Sequence, residues 1–265
     1  MIEQLKKLNI GEVLENVDLK KYNTYRISGN AACIVFPNNL FNLIELLEFL
    51  KNNNIKYKVI GKGSNLIFND GYDGVLIKLD KFDKFIIQGN EITIGAGCSL
   101  IKVSNQLARL GYTGFEFATG IPGSVGGAIF MNAGAYKSDM GYIVKSVTVL
   151  TPDLKVKELT NYDLDFHYRT SFIQKNPGYI CLEATIILKK GNSEEILQLI
   201  DDRKKRRLET IAPPICLPFN PDSSINLPAK SPSGFLNTEP ADGYSSGCDS
   251  NVLFFLSSSN FNISS

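Results

Sequence analysis

The sequence predicts a mixed α+β fold. Three observations lead there: strand-length apolar runs alternate with segments of helical periodicity over the first 210 residues, the turns between them are rich in glycine, and no internal repeat is visible. With 265 residues, 43% hydrophobic and 21% charged, the chain can bury a substantial core. Asn39 is placed to cap a helix carrying Leu43, Ile44, Leu46, Leu47 and Leu50, and Tyr57-Lys-Val-Ile-Gly61 reads as the strand that follows, a β-α-β opening. Further strands are expected at Gly74-Val-Leu-Ile-Lys-Leu79, Phe85-Ile-Ile87 and Glu91-Ile-Thr-Ile94. Ser99 then caps a helix with Leu100, Val103, Leu107 and Leu110, stopped by Gly111. Strands are expected over 143–150 and 180–188. A last helix starts near Ser193, with Glu194 and Glu195 in its first turn and Arg203 to Arg207 towards its end, the polarity that suits a helix dipole.

Charge and composition narrow the function. Lys plus Arg of 28 against Asp plus Glu of 27 gives a net charge of +1, without the basic excess of a nonspecific nucleic-acid binder. The opening Met1-Ile-Glu-Gln-Leu-Lys-Lys7 lacks the apolar core of a signal peptide, and no apolar run approaches membrane-spanning length, so a cytoplasmic protein is expected. Cys33, Cys98, Cys181, Cys216 and Cys248 are odd in number and lack CxxC spacing, which points to free thiols rather than disulfides or zinc. With His167 as the single histidine, a Ser-His triad or a multi-histidine metal site is disfavoured, and His167 reads as structural.

Composition breaks near residue 210. Residues 211–265 hold 12 serines and 7 of the 11 prolines, with one basic residue, Lys230, against Asp222, Glu239, Asp242 and Asp249. That leaves the first 210 residues at +4 and the rest at −3. Prolines at 213, 214, 218, 221 and 228 interrupt any periodic pattern, so this segment is expected to be irregular.

The chemistry concentrates in glycine-rich turns. Gly61-Lys-Gly-Ser-Asn-Leu66 follows a strand, and its alternate glycines let backbone N–H groups face one concavity suited to an anion such as a pyrophosphate. It matches neither the P-loop nor GxGxxG spacing, and alone it fits a plain turn as well. The run from Gly120 to Gly134 places five glycines in fifteen residues, open to close approach by a flat ligand with N–H groups meeting its polar edges, or to a tight crossover between strands. Gly95-Ala-Gly97 adds a third close-approach turn.

Taken in order, Tyr22-Asn-Thr-Tyr-Arg-Ile27, Gly61-Lys-Gly-Ser-Asn-Leu66, Gly120-Ile-Pro-Gly-Ser-Val-Gly-Gly-Ala-Ile129, Met131-Asn-Ala-Gly-Ala-Tyr136 and Phe166-His-Tyr-Arg-Thr-Ser-Phe172 resemble the UDP-N-acetylenolpyruvoylglucosamine reductase family over about residues 20–210. The resemblance implies an FAD-binding domain of the vanillyl-alcohol-oxidase type built of two α+β subdomains, a small one over 1–80 and a larger one over 81–205. Residues 206–265 would then be a diverged, irregular remnant of a substrate-binding domain. It also implies noncovalent FAD, NADPH as electron donor, a UDP-sugar as substrate, and a role in peptidoglycan synthesis, without nucleic-acid or membrane partners.

Residue by residue, the resemblance assigns Arg169 to catalysis, because a permanently charged fork suits a carboxylate gaining enolate character. Tyr168 is placed beside the substrate. Cofactor contacts fall to Gly61, Lys62, Gly63, Ser64, Asn65 and Leu66 in the first loop. In the second they fall to Gly120, Pro122, Gly123, Ser124, Gly126 and Gly127, with Asn132 and Ala133 nearby. Arg207, in the Arg203-Lys-Lys-Arg-Arg207 cluster, is implied to reach substrate phosphates, though a solvated helix end fits too.

The departure starts where composition changes. The family continues into a Pro-Ser-x-Gly-Ser-x-Phe segment whose second serine donates a proton, whereas this chain runs Ile211-Ala-Pro-Pro-Ile-Cys-Leu-Pro218. Pro232-Ser-Gly-Phe235 echoes the segment but lacks the serine after glycine, which leaves Ser233 as the stand-in. Two expectations follow. One is an FAD- and NADPH-dependent reductase of the UDP-enolpyruvyl sugar. The other is a flavin-binding protein with little turnover, since the proton donor and substrate lid are missing; frameshift, truncation and degenerate copy all fit the break.

Overall fold

The computed structural model describes residues 1–68, 71–210 and the short strand at 252–254, with the backbone alone described beyond Arg206. A short helix, α1 (Ile2–Lys7), leads into strand β1 (Gly11–Asp18), which pairs antiparallel with β2 (Asn30–Pro37). Asn39 Oδ1 accepts the Asn42 N–H and so starts α2 (Leu40–Asn52), whose Leu43, Leu46, Leu47 and Leu50 are fully buried. The chain returns in β3 (Tyr57–Ile60), crosses the glycine turn to β4 (Leu66–Phe68), and enters β5 (Tyr72–Lys78). Strand β5 inserts between β2 and β3 and is parallel to both, giving a four-stranded sheet in the order β1-β2-β5-β3.

The second sheet is antiparallel throughout. Strands β6 (Phe85–Gln88) and β7 (Glu91–Gly95) form its first hairpin, followed by α3 (Leu100–Arg109), capped by Ser99 Oγ, and by β8 (Tyr112–Thr113). Gly111, at φ +73°, ends α3 as its sequence position predicts. A six-residue helix, α4 (Val125–Phe130), and a tight hairpin, β9 (Gly134–Ala135) and β10 (Ser138–Asp139), precede β11 (Val144–Leu150) and β12 (Val156–Thr160). A single-turn α5 (Phe172–Lys175) leads to β13 (Ile180–Ile187), completing a five-stranded sheet in the order β12-β11-β13-β7-β6. Strand β14 (Lys189–Lys190) pairs with β8, and α6 (Ser193–Thr210) packs on α3 through Ile196, Ile200 and Ala108. Strand β15 (Val252–Phe254) lies antiparallel to β4.

The strands and helices read from the sequence fall where the periodicity put them, with ends moved by one or two residues. Both sheets share one apolar core, which runs from Leu46 and Ile77 to Ile92, Phe117, Ile129 and Ala184. Burying each large aliphatic side chain contributes about 1.5–3 kcal/mol, so the shared core holds the two sheets together. The fold class is α+β, as expected. The tail, including Ser233, lies outside the described residues except for β15, and so does the side chain of Arg207.

Candidate active site

A cavity of about 690 Å³ opens between the two sheets, where the glycine turn after β3 meets the segment leading into α4 and the stretch from Arg169 to Cys181. All six residues from Gly61 to Leu66 line it, as do Pro122, Gly123, Ser124, Gly126, Gly127, Ala133 and Arg169. These two loops, 60 residues apart in sequence, touch: a Cβ on Gly61 would come within 2.5 Å of Ser124 Oγ. Gly63 adopts φ +65°, and a Cβ there would strike the Tyr22 carbonyl oxygen, so only glycine lets the turn lie flat against that strand entry. Asn23 builds the entry, its Nδ2 donating to the Leu19 and Ile27 carbonyl oxygens at 2.7 Å each while its Oδ1 accepts the Ile27 N–H.

The sequence leaves the second loop open between meeting a ligand's polar edges and making a tight crossover; within it Val125 N–H donates to Cys98 O, Gly126 N–H to Ala96 O and Gly127 N–H to Ser124 Oγ. The first two hold the run to the segment before α3 and the third caps α4, because a loop packed against a neighbouring backbone must satisfy its own polar groups. The Gly95-Ala-Gly97 turn is likewise a close approach to the protein itself: a Cβ on either glycine would strike the backbone of Phe82 or Leu79.

Arg169 is held from three sides. His167 and Thr170 exchange backbone hydrogen bonds across a two-residue turn with Arg169 at φ +57°. Its Nη2 donates to Gly134 O at 2.9 Å, and its guanidinium lies 5.3 Å from the centre of the Tyr168 ring. Tyr168 itself is 77% exposed and stands outside the cavity lining, as Gly120 does. Asn132 is buried, and its amide is committed within the protein: Nδ2 donates to His167 O at 2.8 Å and Oδ1 accepts the Gly141 N–H at 2.9 Å. It therefore ties the end of α4 to the turn that carries Arg169.

One feature of the cavity fits a large polar cofactor. Asn65 Nδ2 is buried with no hydrogen-bond partner among the described residues, and an orphaned buried donor is costly unless a bound group accepts from it. Cys181 lines the cavity, but burial pushes its thiol up to about 12, so it offers no thiolate for a covalent flavin link. His167 pairs with Asp165 at 2.9 Å on the exposed side of its turn. No cluster of metal-ligating side chains occurs among the described residues, nor any helix long and apolar enough to cross a membrane. Tyr25, Asp80 and Gln174 also line the cavity and were not singled out from sequence; only Tyr25 lies in a segment with a recognisable motif.

Comparison with known proteins agrees with this geometry. The family described as an FAD binding domain matches residues 31–160. The UDP-N-acetylenolpyruvoylglucosamine reductase of Halalkalibacterium halodurans is 43% identical over 212 residues, covering 79% of this chain and 70% of that protein. The crystal structure of UDP-N-acetylenolpyruvylglucosamine reductase from Thermus caldophilus aligns with a TM-score of 0.64 at 30% identity, over 74% of this chain and 69% of that one. A Physcomitrella patens BBE-like 1 structure aligns with a TM-score of 0.55 at 19% identity, over 72% of this chain and 44% of that one, and shares the fold.

Proposed function

Because the chain belongs to the UDP-N-acetylenolpyruvoylglucosamine reductase family and is an FAD-dependent oxidoreductase, we propose that it reduces UDP-N-acetylglucosamine enolpyruvate to UDP-N-acetylmuramate at the expense of NADPH. The observation that carries this reading is the convergence, on one cavity, of the Gly61–Leu66 turn, the orphaned Asn65 amide and the guanidinium of Arg169. FAD bound there would supply two-electron hydride chemistry between NADPH and the enol ether. The Gly61–Leu66 turn and Asn65 would hold its diphosphate end, and the glycine run to Gly127 would give a flat wall.

Arg169 binds the enolpyruvyl carboxylate. As hydride arrives at the β carbon, negative charge moves onto that carboxylate, and a guanidinium already fixed by Gly134 O and the turn stabilises it without reorganising. Tyr168 flanks the arginine on the solvent side. A proton then has to reach the α carbon, converting the enol ether to a lactyl ether; Ser233 is the residue the tail offers for that role.

The test follows NADPH absorbance in the presence of the purified yellow protein, with and without the UDP-enolpyruvyl sugar. Sugar-dependent NADPH oxidation supports the reductase reading. The −3 tail without a Gly-Ser-x-Phe segment favours the second reading, a flavoprotein of little turnover. In that case NADPH bleaches the flavin once and the sugar adds nothing.

A further inference from the structure

Lys78 ends β5 and is only 3% exposed. Its Nζ donates to the carbonyl oxygen of Gly61, the first residue of the glycine turn, at 2.6 Å. Asp80 Oδ1 lies 3.8 Å away and the centre of the Tyr22 ring 6.0 Å away. Asp80 is shared, since Lys62 Nζ approaches the same oxygen at 3.3 Å. Among the described residues one carboxylate thus serves two ammonium groups, which leaves the cluster one positive charge in excess. A buried charge is expensive unless opposite charge lies close. Lys62 and Asp80 line the cavity with Gly61, whereas Lys78 is not among the lining residues and lies behind its floor.

We propose that Lys78 is a positioning residue for the diphosphate of FAD, bracing the Gly61–Leu66 turn from behind and supplying the uncompensated positive charge that the diphosphate completes. This rests on the reading that places the diphosphate at that turn. It explains why a lysine, rather than an aliphatic residue, occupies the buried end of a central strand whose preceding Val75, Leu76 and Ile77 are fully buried and apolar. The groups facing the ammonium are the Asp80 carboxylate, the Lys62 ammonium, the Tyr22 ring and the Gly61 carbonyl. Burial, above all, holds Lys78 below the usual lysine range; Asp80 opposes that shift, and Lys62 adds to it.

The test compares two ligands that differ in the diphosphate-linked half: FAD and riboflavin, titrated into apoprotein of the wild type and of Lys78→Met. The expected result is an FAD Kd weakened about tenfold or more, a difference little changed by added salt because the ammonium is buried, with riboflavin affinity and thermal stability held. Equal loss for both ligands, or no loss for FAD, overturns the proposal. Failure of the wild type itself to bind FAD sinks the underlying reading instead, which keeps the two failures apart. Should Lys78→Met not fold, the wild type still decides: raising pH from 7 to 10 is expected to weaken FAD relative to riboflavin as the ammonium loses its proton, and a constant ratio contradicts it.

Discussion

The Arg169 guanidinium is already fixed by Gly134 O, and under the proposed function that sets the direction of its mutational effect. Lysine in its place keeps the charge but loses the fork that could bond Gly134 O and a carboxylate together. Arg169→Lys is expected to retain FAD, measured by the flavin spectrum after desalting, while substrate-dependent flavin reoxidation falls about 100-fold or more. Loss of FAD with unchanged reoxidation per bound flavin contradicts that role. Gly63 shows the opposite pattern. Its left-handed backbone and its contact with the Tyr22 carbonyl make Gly63→Ala a backbone lesion, costing about 1–3 kcal/mol of stability and displacing the turn that carries Asn65. Calorimetry of the apoprotein and FAD titration are both expected to register it; a variant of unchanged Tm and FAD affinity is the contrary outcome.

At the scale of elements, the β9–β10 hairpin connects the arginine to the long C-terminal helix. Tyr136 and Lys137 form its turn at φ +54° and +60°, Gly134 at its base accepts from Arg169, and Tyr136 Oη donates to Arg203 O in α6 at 3.2 Å with the Arg203 guanidinium 4.7 Å from the ring centre. Tyr136→Ala is expected to raise amide hydrogen exchange over 134–139, while Tyr136→Phe, which keeps the stacked ring, changes it little. Equal exchange in wild type and alanine variant means that α6 does not brace the hairpin. This hairpin also marks the limit of what the sequence conveys. Asn39, Ser99 and Gly111 act locally, so α2 and α3 could be read with their ends. Paired αL residues that are not glycine carry no turn signature, and α4, with two glycines in six residues, has no helical propensity to detect. Their conformations come from tertiary contacts such as Gly126 N–H to Ala96 O.

For the whole molecule, the site exists because two sheets of different build share one core, with the mixed sheet presenting the Gly61 turn and the antiparallel one presenting the second loop and Arg169. Arg169 and both loops, all named from the motif order in the sequence, line one cavity. That order could not show that Asn132 is a brace inside the protein, or that Lys78 and Asp80 lie beneath the turn, since those roles depend on which strands become neighbours. The inserted position of β5 between β2 and β3 is what brings Lys78 to Ile60 and hence to the turn. The most direct test is a single turnover without NADPH: the bound flavin is photoreduced anaerobically and mixed with the UDP-enolpyruvyl sugar in a stopped-flow instrument. Return of the oxidised flavin spectrum with one equivalent of UDP-N-acetylmuramate formed per flavin is expected; a reduced flavin that stays bleached in excess sugar, with no product, contradicts the proposed function.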